Sequence, residues 1–489
     1  MKTINWFRHN LEIVWTGLFF SAWAFVFLLR QLPIGGGWAA LDQQTSSLVL
    51  AWVSGTALAM YAGGRIARTR AYKSPADALN PDPAILILSL AAMAGAIMII
   101  LEFAFTRGYG FSTPVAEIRI LEVNRGMKGA ASSLLSGTGR LMLPAFLPAL
   151  VLLVWSWKSV SRTAVFAFAL AAAAVLVEQV LFEGGRIFLG STFIALGIAL
   201  LADLLKPAKS GGPSFSRKLI NMVLILGLYG TVVVSYSGWV FSKRTEFTGE
   251  SESAAFKRFS SNIIGEKPAT APESAPAPAA AQPSAPQAPA AQTTAAPAVA
   301  AKDPAVQTAA VPEPAEVPKD GRSRLQKLMD HPTTQFFWIY ATHGISELSK
   351  VLHFDNLQKT HGFFQFPQVS QMLDRVFGTD FRIDYYHDLP SIGLYTTMIG
   401  ASYIDFGWLG AVLFGIGFGF LTGYCATSAV RQDGLSFAAI AFPALMTVAL
   451  VSPVVSIVNH VWPMIVWALA AALAARFAEN KSGTSVMAV

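Results

Sequence analysis

On a helical projection of residues 335–354, His343, Ser346, Glu347, Lys350 and His353 share one face. An imidazole with a carboxylate one turn on is an arrangement suited to taking a proton from a hydroxyl group. His343 is the leading candidate base and Glu347 its neighbour, with His361 and His387 further along the chain. A neutral imidazole with an ordinary pKa of about 6.5 is deprotonated at pH 7–8, so an activity carried by His343 is expected to fall as pH drops through about 6.5. The alternative is a histidine that is merely solvated on a polar face. No pair of histidines stands at helical i, i+4 spacing, so ligation by His343, His353 and His361 is not expected, and neither a metal nor a cofactor is.

Two further groupings suit an anionic substrate. In Glu183-Gly184-Gly185-Arg186 the glycines allow close backbone approach, and the arginine opens an apolar run. The alternative there is a tight turn closed by its own Glu–Arg pair. In Tyr403-Ile404-Asp405-Phe406-Gly407-Trp408 a carboxylate stands at the end of a long apolar run. It is placed to meet a proton or a sugar hydroxyl, or to serve as an N-terminal helix cap. Arg30, Arg107, Arg119, Arg125, Lys128, Arg140 and Arg186 all fall at one end of the apolar runs. The planar fork of arginine matches phosphate oxygens, so such a cluster suits the diphosphate of a lipid; single members can instead snorkel or pair with Glu117, Glu122 and Glu183.

The elements that position these groups follow from composition. Of 489 residues, 53% are hydrophobic and 13% charged, about half the charged share of a soluble protein. The charge of +7 is scattered between apolar runs, which argues against a nucleic-acid partner and for the lipid bilayer. The lone Cys425 excludes an intramolecular disulfide and a multi-cysteine metal site. Apolar runs near 11–29, 46–63, 84–103, 141–157, 163–181, 187–205, 219–241, 406–430, 436–452 and 456–475 approach the roughly 20 residues that cross a bilayer. The expected fold is an all-α integral membrane protein of about ten transmembrane helices, or eleven if 389–404 also spans. Arg65, Arg68, Arg70, Lys73, Lys158, Arg162, Lys206, Lys209, Arg217 and Lys218 fall on the side of the N-terminus. That places the N-terminus in the cytoplasm and the arginine-rich ends outside.

Three regions result: an N-terminal bundle of about seven helices over 1–241, an external loop over 242–395, and a C-terminal bundle of about three helices over 396–489. Within the loop, 268–320 is nearly all Ala and Pro with scattered polar residues, a composition that cannot bury enough apolar surface to order itself. Residues 335–354 are expected to form an amphipathic helix at the membrane–water boundary, with Phe337, Ala341, Ile345, Leu348 and Leu352 opposite the polar face.

Three of these features together resemble a family: Gly184-Gly185-Arg186-Ile187-Phe188-Leu189 opening a span, a long late loop with an aromatic-rich helix, and Tyr-x-Asp-Phe-Gly-x-x-Gly at 403–410. They look like the oligosaccharide repeat unit polymerases, the Wzy-type O-antigen polymerases. The resemblance implies a lipid-sugar-dependent (GT-C-like) glycosyltransferase of the bacterial inner membrane, with its large loop in the periplasm. Such enzymes move a glycan from undecaprenyl diphosphate to the non-reducing end of a second lipid-linked repeat unit. They use neither metal nor nucleotide sugar, and work beside a flippase and a chain-length-regulating copolymerase. On this resemblance Arg186, Arg140, Arg125, Arg119, Lys350 and Tyr403 would bind diphosphate and glycan, and His343, Glu347, Glu183 or Asp405 would serve catalysis. Alternatives are an O-antigen-ligase-like transferase, a flippase or transporter of lipid-linked glycan, and a scaffold whose Ala/Pro arm recruits partners. The Ala/Pro segment departs from the family pattern. Deleting 270–318 is expected to leave membrane insertion and polymerisation measurable, since a Pro-rich tether holds no core; loss of either in a membrane-fraction assay would mark the segment as an ordered element.

Overall fold

The computed structural model describes residues 2–32, 40–69, 81–109, 118, 134–157, 159–179, 186–206, 214–248, 332–354, 357, 359–366, 369, 373, 376–378, 396–431 and 436–485. The Ala/Pro segment 268–320 lies outside them. Among the described residues the only regular secondary structure is helix. The helices are α1 (Lys2–His9), α2 (Leu11–Arg30), α3 (Gln43–Thr69), α4 (Asp82–Leu101), α5 (Leu134–Met142), α6 (Phe146–Ser156) and α7 (Arg162–Glu178). They continue with α8 (Arg186–Leu205), α9 (Phe215–Thr248), α10 (Pro332–Leu352), α11 (Met398–Arg431), α12 (Phe437–Val451) and α13 (Val458–Ser485). Seven stretches of the described residues are long and apolar enough to cross a membrane: 11–30, 43–69, 82–106, 135–156, 188–205, 215–236 and 398–431. Helices also form at the remaining expected positions, but α7 has 17 residues and α12 has 15, and the apolar part of α13 is 462–475.

Local chemistry sets several of these boundaries. Ser161 and Ser436 cap α7 and α12, each hydroxyl accepting from the backbone N–H three residues on at 3.2 Å. Between α5 and α6 the chain tightens into a 3₁₀ turn at Leu143–Ala145, which includes Pro144. The carbonyl of Leu141 accepts there from the indole of Trp467 at 2.8 Å, giving a backbone acceptor at a broken ladder its partner. Residues 389–395 lie outside the described set. From Met398 the chain runs straight into α11 with a kink at Gly407 (φ 71°, ψ −170°), a conformation that glycine adopts without strain. The segment 398–406 thus forms the outer arm of α11. At 34 residues α11 is about 50 Å long, well beyond the bilayer's hydrocarbon thickness.

One end of the bundle is tied together by cations. Arg8 donates to the carbonyls of Leu205 and Lys206, both at 3.1 Å, and Arg431 donates to that of Arg68 at 3.1 Å. These contacts place positive charge at helix C-termini, where the macrodipole favours it. Glu12 is 2% exposed and pairs with Arg68 at 2.8 Å and Arg65 at 3.5 Å. Lys218 pairs with Asp203 at 3.1 Å.

The N-terminal and C-terminal bundles meet in one core. There α3 and α11 run parallel: Gly415 faces Trp52 and Thr56, Gly419 faces Thr56, Gly423 faces Met60, and Thr427 lies against Gly64. A β-carbon at Gly419 or Gly423 would collide with the carbonyl oxygen of Thr56 or Met60. In lipid, where apolar burial between helices contributes little, this glycine spacing of four is what lets two helices hold each other by backbone contact. Trp15, Phe19 and Trp23 of α2 fill the space beside them, Trp15 against Phe442 at 4.8 Å and Trp23 against Trp52 at 5.7 Å between ring centres. Gly423→Leu should therefore force α3 and α11 apart and cost about 1–3 kcal/mol, read as a lower thermal midpoint in detergent. Gly417→Ala, where the added methyl meets nothing within 4 Å, should leave the midpoint in place; equal midpoints for the two variants would refute the seam.

Candidate functional site

The end of the bundle away from the Arg8 and Glu12 contacts is roofed by α10, which packs on α2, α3 and α11. Its N-terminal half is held by the Trp338 indole, which donates to the Leu29 carbonyl at 2.6 Å. Its C-terminal half is held by Ser349, which donates to Asp42 at 2.7 Å. Asp42 stands just before α3 and also accepts from the N–H and hydroxyl of Thr45 at 2.8 and 2.6 Å. Partial burial pushes the Asp42 carboxyl up, but the hydrogen bonds from Thr45 and Ser349 and the charge of His353 outweigh it and hold the group well below the usual range.

The expected amphipathic helix of 335–354 is α10, and its polar face is covered at His343 and Glu347 while Lys350 and His353 are exposed. His343 is 2% exposed and Glu347 1%, while the Lys350 side chain reaches out at 42%. Lys350 donates to Glu347 Oε1 at 2.7 Å, and His343 Nε2 lies 3.5 Å from the same oxygen. Ile345, Leu348 and Val351 are buried as well, so α10 lies within the protein on most sides. Burial lowers the His343 pKa to about 4, with the Lys350 ammonium adding to the effect. With α10 in place His343 therefore stays neutral through pH 6.5 and down to about pH 4. Burial pushes Glu347 up, and Lys350 pulls it back.

Asp405 is fully buried in the outer arm of α11. Its Oδ1 accepts from the Thr360 hydroxyl, from Gly362 N–H at 3.0 Å and from Phe364 N–H at 2.9 Å, while Oδ2 accepts from Gln365 N–H at 3.2 Å. The backbone adds Thr360 N–H to the Ile404 carbonyl at 3.3 Å and His361 N–H to the Asp405 carbonyl at 3.0 Å. With its lone pairs so occupied, Asp405 acts as the anchor of the turn 360–366, neither a helix cap nor an open base. It holds His361 (φ 51°) and Gly362 (φ 102°) in left-handed backbone, a strain that a saturated carboxylate can sustain. The turn also packs Phe364 and Leu357 with Tyr403 around Val351 and Ile404, joining it to α10.

Tyr403 carries the ammonium of Lys359, 4.0 Å from its ring centre, with Nζ donating to the Tyr403 carbonyl at 3.3 Å. Lys359 escaped the sequence reading because it lies in no periodic segment and meets Tyr403 only through the Asp405-anchored turn. Burial lowers its pKa. Asp42, Thr360 and Gln365 were likewise illegible as site residues, since their partners are hundreds or tens of residues away.

Of the other expected site residues, Arg140 is exposed near the end of α5. Arg186 opens α8, with its side chain outside the described set. Glu183, Arg119 and Arg125, and with them Lys128, also lie outside it. Arg107 pairs with Glu102 at 3.1 Å and sits 4.9 Å above Phe103, the structural alternative for that cation. Among the described residues no group of three His, Cys, Asp or Glu is placed to hold a metal ion. No protein-family model, curated protein sequence or solved structure matches this chain. The all-helical, multi-pass membrane class therefore rests on its own helices.

The burial of His343 has a measurable sign. Between pH 6.5 and about 4 the unfolded chain takes up a proton that folded His343 refuses, so stability contributed at this site falls as pH drops through that window, by at most about 1.4 kcal/mol per unit. The parent's thermal midpoint should fall more steeply on acidification from pH 6.5 to 4 than that of His343→Asn. Parallel curves would place His343 in a solvated setting.

Proposed function

We propose that this chain is a polysaccharide polymerase, transferring a glycan from undecaprenyl diphosphate to the non-reducing end of another lipid-linked repeat unit on the periplasmic face of the bacterial inner membrane. The observation that carries the reading is the roofed end of the bundle. There a helix outside the apolar spans brings His343, Glu347 and Lys350 over the ends of α2 and α3, beside a turn that sets Lys359 against Tyr403. Titratable and cationic groups thus gather at a membrane boundary, where a lipid's diphosphate and first sugar lie while its tail stays in hydrocarbon. The reaction needs preorganised positive charge for the leaving diphosphate and a base for the attacking hydroxyl. Arg140 and Arg186, near or at the start of their spans, are assigned to the first task. His343 and Glu347 are assigned to the second; both are covered in this arrangement, so α10 must lift from α2 and α3 before either meets a hydroxyl. The backbone-to-backbone seam of α3 and α11 favours a fixed enzyme core over the rocking halves of a transporter.

The test is direct. Purified chain given undecaprenyl-diphosphate-linked repeat units and no nucleotide sugar should lengthen them into a ladder on a gel. Arg186→Ala and Arg140→Ala should fold yet shorten the ladder, and Lys at either position should recover part of it, because a point charge lacks the bidentate fork. Absence of any lengthening by the parent would remove the proposal.

A further inference from the structure

Lys359 is a half-buried cation with an unusual set of partners. One proton of its ammonium points to the Tyr403 carbonyl and one side rests on the Tyr403 ring. Among the described residues no carboxylate lies within ion-pair distance of it. The nearest in sequence, Asp405, spends its oxygens on Thr360, Gly362, Phe364 and Gln365. Taking an ammonium partly out of water without a counter-ion is costly, and the ring offsets only part of that cost. The position is nevertheless built, since the Asp405-anchored turn fixes the chain immediately after Lys359, and a β-carbon at Gly407 would lie 3.4 Å from the Lys359 Cε. Two residues beyond that glycine an exposed apolar stripe begins on α11, formed by Leu409, Leu413, Ile416 and Phe420 at helical spacing. A cation at the head of an apolar stripe matches an anionic group on a hydrocarbon chain.

Resting on the polymerase reading, we infer that Lys359 is a further phosphate-binding residue for the lipid-linked substrate, beside the arginines, its free ammonium protons meeting diphosphate oxygens while the polyprenyl tail lies along α11. The lysine stem passes beside Gly407, and the Tyr403 ring holds the ammonium in place before the lipid arrives. The lowering of the Lys359 pKa by burial fits a charge that gains by acquiring an anion.

The same chemistry is offered by bulk phospholipid head groups, so the experiment separates the sources. Full-length protein in phosphatidylcholine nanodiscs is titrated with undecaprenyl diphosphate, with uncharged undecaprenol and with phosphatidylglycerol. Lys359→Met, which keeps the stem over Tyr403, should bind undecaprenyl diphosphate about tenfold more weakly with undecaprenol binding unchanged. Lys359→Arg should restore most of the loss. Should Lys359→Met fail to fold, Lys359→Cys treated with bromoethylamine rebuilds an ammonium, selectively because Cys425 is buried, and binding must return with the charge. Equal loss for undecaprenol and its diphosphate, or no loss for either, overturns the assignment and leaves Lys359 as a pin for the turn. Equal affinity of the parent for phosphatidylglycerol and undecaprenyl diphosphate overturns it in favour of a general lipid contact. A parent that lengthens glycans while Lys359→Met binds normally refutes this inference alone, whereas a parent that neither polymerises nor binds refutes the polymerase reading with it.

Discussion

The parallel backbone contact of α3 and α11 is the constraint on which the outer end depends. With Gly419 and Gly423 against the carbonyls of Thr56 and Met60, neither helix can slide along the other without a clash, so the register of their outer ends is fixed together. Asp42 stands at the head of one and Ile404–Asp405 in the arm of the other. Ser349 ties α10 to the first; Val351 packs on Ile404 of the second, and Asp405 holds the turn 360–366. A fixed seam thus becomes a fixed roof, although α10 and the turn touch little of the seam themselves.

Charge is treated differently at the two ends. Where Arg8, Arg65, Arg68, Lys218 and Arg431 cluster, the cations meet helix carbonyls or carboxylates, an arrangement that closes the bundle by satisfying the last turns of its helices. At the roofed end Glu347 and Glu102 also pair with cations, but Asp42 and Asp405 act on backbone and hydroxyl donors, Asp42 on Thr45 and Ser349 and Asp405 on the turn. Lys359 is left facing an aromatic ring and a carbonyl. Hydrogen bonds to a carboxylate position a loop without neutralising a nearby cation.

Burial also changes what α10 can do. An imidazole on an open face would titrate near neutrality, whereas His343, enclosed and close to Lys350, is held neutral to about pH 4. Glu347, between the two, is pushed up by the same enclosure. The three groups form one coupled unit in which the exposed Lys350 is the contact with water.

The sequence by itself determined the class of the protein and most of its helices, because a chain in lipid must satisfy its backbone internally and long apolar runs have no other stable form. It also determined the helix now seen at Pro332–Leu352. The packing of Gly415, Gly419 and Gly423 on α3 did not follow from the sequence, since the partner residues lie more than 350 positions away. Only the tertiary structure decided that Asp405 holds a loop, that His343 and Glu347 lie covered, and that Lys359 rests on Tyr403. Helical periodicity reports which residues share a face and says nothing of what covers that face. A carboxylate's role depends on donors that only folding brings within 3 Å or so of its oxygens.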